Sequence, residues 1–491
     1  MSIGGNAFSN ALSGLTAARR ASELVSSNVA NAMTPGYGRR ELELGTRYAG
    51  AGTTAGVNVV AVRREVDAGL LEDRRLADAA AGYDNTVTKF HSEFSNILGT
   101  PDEPGSLSAR LATLETTFIE ASSRPDSAAR LSAVVTAAND VVNKLNKASD
   151  QIQEARMAAD GKIDVQVRQL NEALTRVHNL NLDIKRAVAK GEDPSTLQDL
   201  RQQSVDKIAS IVPIKMIERD KGTIALYTTG NAVILDGKAG EFAYSKVGVI
   251  VPEMTLDSGA LSGLTLNGNS IETSGNFSPI KGGSLAALFE VRDELATGAQ
   301  SQLDAISRDL IERFQDPAID GTRAPGDPGL FTDGGSAFDI VADPDSEVAL
   351  SERIKLNALV DPDQGGEVWR LRDGLGAVTP GEVGNSALLQ DLYGAMTEKR
   401  VAASGDFLGV ARSASGLSAD LLSIVGADLS SAEDRQTYSS SQQTSLIEME
   451  KAAGVDTDYE LQQLVLIEQA YTANAKVLTT LDNMMRRLME I

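Results

Sequence analysis

The chain has 491 residues, 46 basic and 68 acidic side chains, a net charge of −22 and no cysteine. Without cysteine there is no disulfide framework and no thiolate metal or nucleophile site. Two histidines, His91 and His178, cannot build a three-histidine metal centre, and so acidic a chain is poorly suited to neutralising a nucleic-acid backbone.

Hydrophobic residues make up 42% and aromatics 4% of the sequence. Leu, Val, Ile and Ala must therefore pack more than one domain, a mix that suits helical bundles. No apolar run approaches the ~20 residues that span a bilayer, so no membrane insertion is expected. Met1 to Asn10 carries no positive charge and no continuous apolar segment follows it, so no cleaved signal peptide is expected. That pattern fits a cytosolic chain, or export uncut through a dedicated channel, and the missing cysteines lean toward life outside the cell.

The first element reads as a helix over Phe8–Ala30, with Phe8, Leu12, Leu15, Ala18, Ser22, Val25 and Val29 at three- and four-residue steps. It ends at Thr34-Pro35-Gly36-Tyr37-Gly38, a turn signal. Residues 38–62 read as a loop with short extended pieces. Helix returns over 66–124, broken at Thr100–Gly105.

The longest periodic stretch runs from Ser127 to about Lys190, where apolar residues alternate by three and four. Ile152 and Ile163 hold like positions eleven residues apart, a stutter that locally unwinds a supercoil, and Gly161 lies within it. Unbroken, this helix would approach ~100 Å at ~1.5 Å per residue. A polar Asn181 on its seam reads either as a register-setting residue or as a locally exposed one.

A helix over Leu197–Ile211 precedes β runs at 214–218, 223–228 and 232–235, and residues 240–281 keep β and turn character. Residues 284–315 read as one helix. From 316 to about 384 the composition shifts to Pro, Gly and Asp, with short strands expected near Phe338–Val341 and Val368–Leu371. Asp343-Pro344-Asp345 opens like a calcium loop, but Val348 and Ile354 stand where the loop needs Gly and Glu, so it reads as a solvated acidic turn. Helical periodicity resumes at Leu388. The last helix opens on Thr457-x-x-Glu460, read as a capping box. Leu461, Leu464, Ile467, Tyr471, Ala475, Leu478, Leu481, Met485 and Leu488 then trace one face.

No phosphate-binding loop, nucleophile elbow or paired-histidine zinc motif occurs, and no carboxylate pair is singled out for acid–base work. No cofactor and no enzymatic activity are expected. What stands out is an apolar stripe at each chain end, where termini ordinarily fray. The stripes can zip together, pack on neighbouring subunits, or complete an internal bundle.

Ser27-Asn28-Val29-Ala30-Asn31-Ala32-Met33-Thr34-Pro35-Gly36-Tyr37 resembles the amino-terminal signature of the bacterial flagellar rod, hook and hook-associated proteins, with Met33 in a place usually held by Asn. Gly454-Val455-Asp456, and Glu468 through Tyr471 and Asn474 to Leu478, resemble the matching carboxy-terminal signature. Leu197–Arg201, Gly282–Leu285 and Trp369–Gly374 are similar to the hook-associated members.

The resemblance implies a structural subunit between hook and filament, exported without a cleaved signal peptide and passing only transiently through the cytoplasm. Its implied partners are copies of itself in a ring or short helical assembly, the hook protein, a second junction protein or the filament, and a cytosolic chaperone on the last helix. The signature residues it marks are Asn28, Asn31, Thr34, Gly36, Tyr37, Tyr471 and Asn474. Leu12, Leu15, Val25, Leu461, Leu464, Ile467, Leu478, Leu481 and Leu488 would pack the terminal helices and meet the chaperone.

The expected fold is mainly α with smaller β portions (α+β): an elongated coiled-coil-like rod with paired terminal helices and a small β or irregular outer domain. The boundaries are 1–60 and 440–491 for tube-lining assembly helices that order on stacking, 61–316 and 385–439 for the rod with β structure at about 213–281, and 317–384 for the outer insertion. A hook or distal-rod protein is the alternative within the family, and a wall-active enzyme on a flagellar scaffold the alternative outside it.

Overall fold

The computed structural model describes residues 3–48, 54–407 and 409–489. In chain order it contains α1 (Ile3–Asn31), β1 (Arg39–Tyr48), β2 (Thr54–Glu65), α2 (Ala68–Leu98), α3 (Leu107–Ser123), α4 (Ala128–Lys190) and α5 (Ser195–Ile211). Seven short strands follow: β3 (Ile214–Glu218), β4 (Ile224–Thr228), β5 (Val233–Asp236), β6 (Lys238–Ala239), β7 (Phe242–Ala243), β8 (Leu264–Leu266) and β9 (Asn269–Ile271). The remainder is α6 (Ser284–Glu290), α7 (Ala296–Gln315), β10 (Phe331–Asp333), α8 (Leu350–Arg353), β11 (Ile354–Leu356), α9 (Arg370–Asp373), α10 (Ala387–Thr397), α11 (Ala414–Ala452) and α12 (Thr457–Met489). The fold is mainly α with small antiparallel sheets, as the composition and periodicity require. None of the described helices is long and apolar enough to cross a membrane.

The spine is α4, 63 residues without a break, about 95 Å at ~1.5 Å per residue. Ser127 starts it by accepting the N–H of Arg130. Its buried row passes from Leu145 and Ile152 to Ile163, Leu170 and Ile184.

Where the stutter interrupts that row, the seam turns polar. Arg156 and Asp160 are buried there. Arg156 donates to the carbonyl of Arg292 at 3.1 Å, and Arg292 donates to Asp160 at 3.0 Å. Tyr244 and the Val247 N–H also bond to Asp160. The helix packed opposite is not the single α-helix that the pattern predicts over 284–315: it opens into a π-turn at Val291–Leu295. The two irregularities face each other because an unwound seam needs a partner whose side chains are re-phased at the same height.

Asn181 is buried and clamps a strand, donating to Ile224 O at 2.9 Å and accepting from Ile224 N at 3.2 Å. It docks the sheet ordered β3-β4-β5-β6. On the rod's other side α11 runs antiparallel to α2, burying Val425, Ala432, Ser439 and Leu446 at seven-residue intervals. The small Ala432 lets the backbones close, and Thr88 donates to its carbonyl at 3.0 Å.

Three expectations need correction. Residues 38–62 are not a loop but most of a long antiparallel hairpin, registered from Arg39↔Glu65 to Tyr48↔Thr54. The strands of the acidic segment are β10 and β11, whereas 338–341 is loop and 368–371 leads into α9. Asp339 explains the first of these, because its side chain takes the N–H groups of Val341 and Ala342 and bends the chain. Residues 317–384 bury Phe331, Phe338, Leu350, Ile354 and Leu371 in the cluster that also holds Leu145 and Phe314, so this segment shares the rod's core. Asn146 of α4 ties it down, donating to Ser351 O at 2.8 Å and Glu352 O at 2.9 Å.

Asp304 of α7 makes the second tie. It accepts from Ala349 N at 3.0 Å, Ser351 N at 2.8 Å, Ser351 Oγ at 2.6 Å and Gln300 Nε2 at 2.9 Å. Burial nevertheless pushes its carboxyl up to about 6, with those donors opposing. A folded value above the unfolded one stabilises fully below pH ~4 and is lost as pH rises through ~6. The unfolding free energy of the natural chain, relative to Asp304→Asn, should therefore rise by up to about 3 kcal/mol between pH 7 and pH 4 in denaturant titrations.

Candidate functional site at the paired chain ends

α1 and α12 are antiparallel and meet through small side chains. Ala11, Ala17, Ala18 and Val25 of α1 are buried, and a Cβ on Gly14 would stand 2.8 Å from the Asn474 amide. That close approach is why Asn474 lies opposite α1. Along α12 the half-buried apolar residues are Leu464, Ile467, Ala475, Leu478 and Leu481, and Leu15 of α1 is half-buried as well.

The larger apolar residues point elsewhere. Phe8 (49%), Leu12 (50%), Leu461 (51%) and Tyr471 (48%) are exposed, as are Val465, Leu466, Met484 and Met485. Phe8, Leu12, Leu461 and Tyr471 thus stand outside the seam that periodicity assigned them, because the alanine face of α1 brings the backbones closer than the leucine face could. The side chain of Leu488 lies outside the described residues.

At the base of the pair the signature residues converge on Asn28, which is buried. Its Nδ2 donates to Arg40 O at 2.9 Å and to Glu460 at 3.1 Å; its Oδ1 accepts from Tyr37 OH at 2.9 Å and Arg40 N at 3.0 Å. All four bonding positions of this amide are filled. Asn31 donates to Ser27 O at 2.9 Å, and Thr34 donates to Asn31 at 3.3 Å, which folds the end of α1 into the turn. Gly36 turns it at φ +77°, where a Cβ would also meet Gln203 at 2.9 Å. The Pro35 carbonyl accepts from Gln203 at 2.8 Å. Two signature residues stay apart from Asn28: Asn474 lies farther along the seam against Gly14, and Tyr471 is on the open face of α12.

Glu460 does not close a capping box. Asp456 caps α12, accepting from Asp458 N at 2.9 Å and Tyr459 N at 3.1 Å. Glu460, 1% exposed, reaches across the chain to Asn28 and to Arg39, whose Nε donates at 2.7 Å. Burial works against the charge of Arg39, but Glu460 more than offsets it and holds Arg39 above its ordinary value.

A second carboxylate fastens the other side of β1. Asp199 of α5 accepts from Gly38 N at 3.0 Å, Arg40 at 2.8 Å and Arg64 at 2.7 Å. The neighbours Arg39 and Arg40 thus point opposite ways, as successive strand residues must, one to the terminal helix and one to the rod.

Arg39, Arg40, Arg64 and Asp199 carry this joint; Asp199 lies in the Leu197–Arg201 run, and the sequence patterns did not single out the three arginines. The adjacent Arg39-Arg40 and Arg63-Arg64 pairs in a hairpin were the available signal.

The chain's two ends and its middle match separate family models. Residues 8–37 match "Flagella basal body rod protein", residues 448–491 match "Flagellar basal body rod FlgEFG protein C-terminal", and residues 91–331 match "Flagellar hook-associated protein FlgK helical domain". The bond between Asn28 and Glu460 therefore joins the two segments that match these terminal models.

Flagellar hook-associated protein 1 of Salmonella typhimurium is 27% identical over 281 residues, 52% of this chain and 50% of that protein. The chain thus spans about half the length of that relative. Its Bacillus subtilis namesake is 23% identical over 514 residues, 96% of each. A solved flagellar hook junction protein, FlgK from Burkholderia pseudomallei, aligns with TM-score 0.45 and 16% identity over 54% of this chain and 47% of that one.

Replacing Glu460 by Ala should leave Arg39 and Asn28 without their shared acceptor. Amide exchange in α1 and α12 should then rise roughly thirtyfold, corresponding to about 2 kcal/mol. Exchange in α4 should stay unchanged, and equal acceleration in both regions would contradict the assignment.

Proposed function

From its place among the flagellar rod, hook and hook-associated proteins, we propose that this chain is a structural subunit of the bacterial flagellum, set at the junction between hook and filament. One observation carries the reading. The paired end helices bury only a narrow small-residue seam, and Leu12, Leu461, Val465, Leu466, Met484 and Met485 are left half or more exposed. A single chain offers these side chains no cover, and a soluble monomer does not ordinarily present such a stripe to water. Stacked copies would cover it, and helices of this length draw most of their stability from such burial.

On this reading the terminal unit is the mobile part of the free chain and becomes rigid on assembly, with α1 and α12 lining the axial tube. The subunit contacts the hook protein on one side and a second junction protein or the filament on the other. The exposed face of α12 serves first as the target of a cytosolic chaperone that keeps it from aggregating before export, by helix-in-groove packing. The chain would leave the cell uncut and end in the extracellular appendage.

The alternative of a hook or distal-rod protein fits less well, because the unbroken α4 and its helical surroundings match the hook-associated domain. A wall-active enzyme would need a free carboxylate in a cleft. Among the described residues the buried carboxylates Asp160, Asp199, Asp304, Asp309, Asp320, Asp361 and Glu460 are instead occupied by arginine, amide, hydroxyl or backbone donors.

Cells lacking this chain should build hooks yet shed filament subunits into the medium, and the full-length gene should restore filaments. Removal of residues 457–491 should leave a folded rod that fails to restore them and no longer binds the chaperone. Filaments of normal number in either strain would refute the reading.

A further inference from the structure

The rod carries a groove between α2 and α4 that the terminal helices do not use. Two cavities of about 710 and 720 Å³ share Glu93, Ala155 and Ala158 and so form one trench. From Asn143 to Gln169 it follows α4 for roughly 40 Å. Alanines line part of it, and its charged lining is five basic side chains against two acidic, on a chain whose net charge is −22. Lys144, Lys147 and Lys162 have no ion-pair partner among the described residues, whereas Lys89 and Arg110 are paired with Glu93 and Asp140.

On the other side of α4 lies the complement. Residues 316–373 hold thirteen acidic and five basic side chains, a net −8. Their most exposed apolar residue is Val341, 89% exposed, in the loop Asp339-Ile340-Val341-Ala342-Asp343-Pro344-Asp345. Asp339, Asp343 and Asp345 are exposed and make no ion pair among the described residues. Their carboxylates do no more than take N–H groups of their own turn. Asn146 fixes this segment to α4. At ~100° per residue, Lys144 and Gln151 lie roughly 140–160° around the helix from Asn146. The segment that carries the acidic loop and the basic end of the groove therefore meet α4 at one height, on opposite flanks.

We infer that the loop 339–345 of one copy seats in the α2/α4 groove of the next, Val341 on the alanines and its aspartates on Lys144 and Lys147. The contact is heterologous: each copy offers a loop on one flank and a groove on the other, so repetition builds a ring or a helical turn of copies. It rests on the reading that copies assemble side by side in the appendage, and adds a lateral bond in the rod layer to the stacking of the terminal helices. Lys144 fits this role, since burial and the like charges of Arg110 and Lys147 hold it below the ordinary lysine range, and an incoming carboxylate relieves that repulsion.

The chain's lack of cysteine makes the test direct. Full-length chain carrying Val341→Cys and Gln151→Cys is produced in a deletion strain, and isolated appendages are treated with a short bis-maleimide. The expected product is a ladder of dimer, trimer and higher multiples, absent from either single-cysteine chain. Lys144→Glu with Lys147→Glu should cut the ladder at least tenfold, and adding Asp343→Lys with Asp345→Lys to the same chain should restore it.

A dimer alone, a product with another protein, a ladder indifferent to charge reversal, or no product from appendages that contain the chain would each overturn the inference and leave the junction reading standing. Absence of the unsubstituted chain from isolated appendages would overturn that reading, and this inference with it.

Discussion

The structure hangs on the close approach of two helices from opposite ends of a 491-residue chain. Closing so long a loop carries an entropic cost that grows only slowly with length. Even so, the seam that repays it is narrow, made of alanines, Gly14 and the facing amide of Asn474. Small residues let the backbones approach closely at the expense of buried apolar area. The specificity of the pairing therefore falls to its base, where Asn28 and Glu460 hold each other in a fully satisfied buried set of hydrogen bonds. Such a set tolerates one register only, because a shifted helix would strand a charge and an amide away from water.

From that base the constraint passes outward along β1. Arg39 belongs to the terminal pair and Arg40 to the rod, through Glu460 and Asp199. The joint between assembly unit and rod is thus ionic and hydrogen-bonded rather than apolar. Polar contacts of this kind fix direction, while the apolar surface that would supply most of the stabilisation remains on the open face of α12. Apolar area left uncovered in this way adds nothing to the stability of the single chain, and any molecule that covered it would add that stability on binding.

The rod solves a different problem. A 63-residue helix cannot keep one seam toward its partners without a phase correction. The correction is made once, at mid-length, by the stutter in α4, the π-turn opposite it and the buried pair Arg292–Asp160 that fills the space between. A purely apolar filling would pack as well or better, but would not distinguish this register from its neighbours.

Periodicity and turn chemistry were enough to set out the helices, the strands from 214 to 236 and the apolar stripes, because the three-to-four spacing and the Pro-Gly punctuation are local signals. The two terminal motifs likewise mark Asn28, Thr34, Gly36 and Tyr37; the Thr34–Asn31 and Tyr37–Asn28 contacts are settled within about ten residues, whereas the bond of Asn28 to Glu460 is not. What needed the folded chain was every decision made by partners distant in sequence. Glu460 obeys the spacing of a capping box, yet it is drawn to Arg39 and Asn28, since the charge of the half-buried Arg39 outweighs a local N–H that Asp456 can serve instead. Phe8 and Leu12 lie on the periodic face, but the alanine face wins the contact because it permits the shorter helix–helix distance. Local sequence thus determined where the long helices would run, but not the π-turn that interrupts 284–315 or the short helix α9 where a strand was expected. Tertiary structure alone decided which face of each helix is covered and which is left open, because that choice depends on the shape of a partner surface that no local pattern encodes.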